Sequence, residues 1–200
     1  TATRWTRVTI QPTVELSATD LPVAAIISGL SKQSYHRETR ITNVQIVDLD
    51  QDGKPEVLAC DAAANQVLVY HNRGDNHWER EVIGRDLRAP AHATVVDIDG
   101  DQDLDVVVSV LGDLLPSDHL IGSVVLLEAN DGEYRAHTLL TDVRRVADVQ
   151  PGDFDADGDV DLVVAVFGYA RGEVLWLENQ GDFRFLDHHL LDRPGTVHVP

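Results

Sequence analysis

Between Asp153 and Asp161 the chain reads DFDADGDVD, five aspartates in nine residues. Two carboxylates about 4 Å apart repel by roughly 1 kcal/mol in bulk water and about 4 at the effective dielectric of a protein surface. A folded chain that keeps such a run must neutralise it. Asp153, Asp155, Asp157 and Asp161 fall at positions 1, 3, 5 and 9 of the run, and Gly158 stands at position 6, where a tight loop calls for positive φ. Alternate residues can turn their carboxylates toward one point, the arrangement a hard cation with about six to eight oxygen ligands requires. Calcium suits it better than magnesium, which holds a stricter octahedron and keeps its waters.

The run recurs twice. DLDQDGKPE sets Asp48, Asp50, Asp52 and Glu56 in the same register with Gly53 at position 6, and DIDGDQDLD does so with Asp97, Asp99, Asp101 and Asp105. The second copy carries Gln102 in place of the glycine and has Gly100 two residues early. It is therefore expected to have altered geometry or weaker binding, so that Asp157→Ala should cost more than Asp101→Ala. An EF-hand is set aside, because its bidentate glutamate comes at position 12 and helices flank it. Here each acidic run passes directly into a strand-like segment, such as DVVVSV or DLVVAV.

The elements that must position these loops form a repeat. Asp48 and Asp97 are 49 residues apart and Asp97 and Asp153 are 56 apart, a period typical of propeller blades or solenoids. After each loop and its apolar strand come a second apolar strand with a turn (QVLVYHNRG, SVVLLEANDG, EVLWLENQG) and then an amphipathic strand carrying an aromatic (HWEREVI, EYRAHTLL, DFRFLDHHLL). Four antiparallel strands per unit, the inner ones apolar on both faces and the last alternating, predict an all-β fold of propeller blades. The blades span 41–90, 91–143 and 144–194. Residues 1–40 supply an outer strand of a preceding blade and a long insertion, and 195–200 begin a further blade. Three blades do not close a ring, since propellers typically have about four to eight.

With loop, strands and turn recurring together, residues 41–194 resemble the FG-GAP and VCBS-type repeats of integrin-α-like β-propellers. Phe167-Gly168 and Leu111-Gly112 are similar to that family's glycine signature. The resemblance implies calcium in the loops between first and second strands and membership of a larger ring, about seven-bladed, with a four-bladed ring as the alternative. It also implies a ligand-binding, adhesion or scaffolding surface at the opposite face. Departures are Gln102, Glu56 at position 9, and a barely recognisable GAP element.

Composition narrows the role. The formal charge is −18, with 34 acidic against 16 basic residues, which argues against a nucleic-acid footprint. Fourteen of the acidic residues lie in the three runs, and three calcium ions would return six units of charge. Cys60 is the only cysteine, so an internal disulfide is impossible and no Cys-x-x-Cys motif exists. No apolar run reaches the roughly 20 residues of a membrane span. Methionine is absent even at position 1, so the chain is expected to be processed or part of something longer, joined to further blades or domains. Millimolar calcium outside the cytoplasm places the protein in an extracellular or periplasmic setting.

Three connections stand out on the face expected to bind ligands: 11–40, 111–122 and 167–172. In the first, Lys32, Tyr35, His36, Arg37 and Arg40 offer basic and aromatic groups for a protein or glycan ligand, while the plainer reading is a surface loop with a short helix at 21–30. Catalysis has little support, because G-x-S-x-G, H-E-x-x-H and phosphate-cradling glycine loops are missing. The alternative is a propeller domain of a larger polysaccharide-acting or cytochrome-linked enzyme. A salt-adapted structural protein, dependent on monovalent salt, is a third reading.

Overall fold

In the computed structural model, residues 40–115, 117–130 and 132–193 are described. They form twelve strands: β1 (Ile41–Val47), β2 (Glu56–Asp61), β3 (Gln66–Asn72), β4 (Trp78–Gly84), β5 (Pro90–Val96), β6 (Asp105–Val110), β7 (Gly122–Asn130), β8 (Glu133–Val143), β9 (Arg145–Gly152), β10 (Asp161–Phe167), β11 (Glu173–Asn179) and β12 (Phe185–Asp192). These make three four-stranded antiparallel sheets in the orders β1-β2-β3-β4, β5-β6-β7-β8 and β9-β10-β11-β12. No helix occurs among the described residues. Three such sheets in succession are consistent with propeller blades, and the described array is open.

Burial explains why the second strands are apolar on both faces. Every residue of β2 and β6 is buried, as are all but the last of β10. On β6, Val106, Val108 and Val110 face the first sheet, packing with Leu58, Cys60, Val67, Val69 and Ile83. Val107 faces the third, with Val124, Leu126, Leu162, Val164 and Leu175. A strand between two cores needs apolar side chains at every position, because neighbouring residues point to opposite faces. Burial also pushes the Cys60 thiol up to about 12, leaving it an inert, packed group.

The first strands lie side by side at one edge of the array, stitched by polar side chains. Thr42 donates to the Pro90 carbonyl at 2.6 Å, Gln45 to that of Ala93, and Thr94 to that of Val149 at 2.9 Å. His92 Nδ1 lies 2.8 Å from the buried Asp148 carboxylate, joining β5 to β9. These bonds hold successive sheets against one another and bring all three β1–β2-type loops to the same end.

Candidate metal centre

The acidic loops occupy 48–55, 97–104 and 153–160, each between the first and second strands of its sheet. One hydrogen-bond pattern builds all three. The position-1 carboxylate accepts the N–H of position 6: Asp48 from Gly53 at 3.0 Å, Asp97 from Gln102 at 3.1 Å, Asp153 from Gly158 at 3.2 Å. Position 3 accepts from position 5, through Asp50, Asp99 and Asp155. Position 5 accepts from position 7, through Asp52, Asp101 and Asp157. In the second and third loops the other oxygen of position 1 also accepts, Asp97 from Gly100 at 2.8 Å and Asp153 from Ala156 at 2.7 Å. A carboxylate oxygen that takes one such bond keeps a further lone pair for another partner.

Gln102 does not alter this geometry, contrary to the expectation from sequence. Two positions per loop take positive φ, the fourth and the sixth. They are Gln51 (56°) and Gly53 (86°), Gly100 (78°) and Gln102 (80°), Ala156 (64°) and Gly158 (100°). Each loop has a glycine at one of the two, and the second loop has only exchanged which one.

Position 9 has a different setting. Glu56, Asp105 and Asp161 open the second strands, each only 1% exposed. One oxygen of each accepts the position-2 N–H, from Leu49 at 2.8 Å, Ile98 at 3.1 Å and Phe154 at 3.1 Å. The other accepts the N–H at the end of the third strand, from Asn72 at 3.4 Å, Ala129 at 2.8 Å and Asn179 at 2.8 Å. This brace ties loop, second strand and third strand together. Glu56 meets backbone donors at the same two positions as the aspartates, so the longer side chain serves the same brace.

Ligand oxygens converge in every loop. Asp48, Asp50 and Asp52 lie with their ligand atoms within 4.8 Å of one another, as do Asp97, Asp99 and Asp101, and Asp153, Asp155 and Asp161. The structure also adds a residue not singled out from sequence. His71 of β3 joins Asp50 and Glu56 in a further group of the same size. Its Nε2 is 2.8 Å from Glu81, and its Nδ1 is buried without a partner. The corresponding β7 and β11 positions, each just before the residue whose N–H meets the brace, hold Glu128 and Glu178. The only available signal was that register.

Electrostatics separates the loops. In the first, Lys54 Nζ is 2.7 Å from Asp52 and Arg73 is 3.6 Å from Asp50. The Lys54 hydrogen bond holds Asp52 below the usual carboxylate range. No basic side chain pairs with the second or third loop among the described residues. There, desolvation followed by the charge of neighbouring carboxylates raises Asp99 and Asp155. Asp105 is pushed up to about 6 by burial, against the pull of its two backbone donors. These groups resist ionising together, and a dication at their centre would remove the penalty. The residues fit such an ion: the donors are oxygens, and Asp48 Oδ1 is a buried acceptor without a donor.

Among the basic and aromatic residues expected to contact ligand, Lys32, Tyr35, His36 and Arg37 lie outside the described residues, as does 21–30. Arg40 is exposed at the opposite end from the acidic loops. Its N–H is 3.4 Å from Asp61, and its carbonyl accepts the Ala62 N–H.

Residues 31–108, covering the first sheet and the start of the second, match the family model described as an FG-GAP-like repeat. No curated protein matches the chain. The chain thus carries an FG-GAP-like repeat over residues 31–108, and the same loop, brace and sheet recur in the third unit, beyond the matched segment.

Proposed function

We propose that the chain is a calcium-stabilised β-propeller module that presents a ligand-binding, adhesion or scaffolding surface outside the cytoplasm. The observation that carries the reading is the uncompensated carboxylate cluster of the second and third loops, held in one geometry by the turn bonds and the position-9 brace. Asp97, Asp99 and Asp101, with Asp153, Asp155, Asp157 and Asp161, would hold the ions; Asp48, Asp50, Asp52 and Glu56 form the corresponding set in the first loop. A bound cation supplies the positive charge that cancels carboxylate repulsion, which leaves each first-to-second-strand connection fixed at the array's end. The oxygen-only donor sets favour calcium among divalent ions. The extracytoplasmic setting is supported by the family match and by the availability of millimolar calcium there. Further blades against the open ends of the array would complete a ring.

An ion that binds the folded chain and not the unfolded one stabilises by mass action, about 2.7 kcal/mol at a hundredfold excess over the dissociation constant. For a chain of this length that raises the melting temperature by roughly 5–10 °C. Melting in millimolar calcium and in EDTA, at constant ionic strength, tests the reading. Equal melting temperatures would refute it, and a response to sodium chloride alone would favour salt adaptation.

A further inference from the structure

The end of the array opposite the acidic loops has its own chemistry. Arg145 opens β9, and its antiparallel partner is Phe167 at the end of β10. The Arg145 guanidinium stands 5.3 Å from the centre of the Phe167 ring. Tyr169 meets Phe167 edge-on, with centroids 5.0 Å apart and planes at 76°, and is 56% exposed. Arg145 makes no ion pair among the described residues, and its Nε is buried without a hydrogen-bond partner. On a chain with 34 acidic and 16 basic residues this is unexpected. The carboxylates close by are already engaged: Glu173 lies 3.5 Å from Arg144 and 3.2 Å from Arg171, and Asp192 lies 2.8 Å from Arg171.

The platform is held in place. Asp118 accepts the N–H of Tyr169 at 2.8 Å and lies 3.4 Å from that of Ala170, pinning the 168–172 connection to the 111–121 connection. Gly168 permits the fit, since a Cβ there would lie 2.1 Å from the Arg171 carbonyl and 2.7 Å from Arg144 Cδ. The glycine of the Phe167-Gly168 pair is thus required by close approach.

We propose that Arg145, Phe167 and Tyr169 form a binding site for the carboxylate of an acidic sugar residue. A guanidinium offers two parallel N–H donors that match a carboxylate. Phe167 holds it in position through the cation–π contact. The exposed Tyr169 ring supplies a flat apolar surface against which the C–H face of a pyranose can lie. An extended peptide is a poorer match, because Asp118 occupies the main-chain donors of Tyr169 and Ala170 that such a peptide would use. The site deepens the reading of the chain as a binding module, and it does not depend on what the acidic loops hold.

The test is titration of the full chain with methyl glucuronide, using methyl glucoside as the neutral match, followed by ligand-observed NMR. The glucuronide is expected to bind saturably and the glucoside not. Loss of a charge-assisted hydrogen-bond pair predicts roughly ten- to a hundredfold weaker binding by Arg145→Gln. Arg145→Lys should be intermediate, keeping the charge without the fork. Tyr169→Ala, at an exposed side chain, should weaken binding several-fold with unchanged melting, and it decides the matter if Arg145→Gln fails to fold. The proposal is overturned if the glucuronide does not bind, if both variants bind as the parent does, or if a tetraglutamate peptide binds more tightly than the glucuronide. Titration in EDTA should give the same affinity wherever circular dichroism shows the fold retained. A failed calcium response and a failed glucuronide response are thus read separately.

Discussion

The first acidic loop and its two successors share a backbone and differ in charge. Lys54 and Arg73 accompany the carboxylates of the first, whereas the second and third hold theirs without a basic partner among the described residues. The shifts run in opposite directions: the Lys54 hydrogen bond lowers Asp52, while desolvation first, and then the charge of neighbouring carboxylates, raises Asp99, Asp105 and Asp155. One geometry therefore carries its own positive charge in the first loop and has no basic partner among the described residues in the other two. The difference needs only a lysine at position 7 and an arginine from the neighbouring strand end.

The largest effect should come from what the loops have in common. Removing the position-9 brace by Glu56→Ala, Asp105→Ala or Asp161→Ala strands two backbone donors per variant. Each stranded donor costs about 1–3 kcal/mol, so a fall of roughly 5–15 °C in melting temperature is expected by differential scanning calorimetry. The three variants should behave alike in EDTA; a mild effect at Glu56 alone would show that the first brace differs.

Next in size is the difference itself. Asp101→Asn and Asp157→Asn should each remove about 2–5 °C of the calcium-dependent rise, to similar extents because their turns are alike. Asp52→Asn should remove less, since Lys54 already serves that carboxylate. A calcium response lost chiefly through Asp52 would reverse the comparison.

A smaller effect concerns pH. Asp105 is raised in the folded chain from an unfolded value near 4 to about 6. Its contribution is fully present below about pH 4 and is lost as pH rises through about 6. In EDTA the melting temperature should fall by a few degrees between about pH 4 and 7, and calcium should suppress that slope. A metal-free curve that rises across this window would contradict the assignment. The smallest effect is expected from Gln102→Gly, which relieves a positive φ and should stabilise by about 1 kcal/mol, visible in urea melts.

Much of this was legible in the residues. The period of the acidic runs and the unbroken apolar strands after them pointed to an all-β chain of four-stranded antiparallel units, because a strand between two cores leaves a pattern that needs no partner to be read. The charge partners were less accessible. Lys54 sits inside its loop, but Arg73 and His71 reach theirs from β3 and the turn after it, through a register that spacing alone does not specify. Gln102 was read as a defect because position 6 was considered without position 4, where Gly100 shows that the loop needs two left-handed residues. The Arg145–Phe167 pair was hidden because its members are 22 residues apart and meet only once β9 and β10 are paired.

The most direct test is calorimetric titration of calcium into chelator-treated protein, alongside Asp99→Asn/Asp155→Asn. Uptake of between about two and three ions per chain, with the tight component abolished in the double variant, is the expected result. Absence of saturable uptake at millimolar calcium, or uptake unchanged in the double variant, would contradict the account.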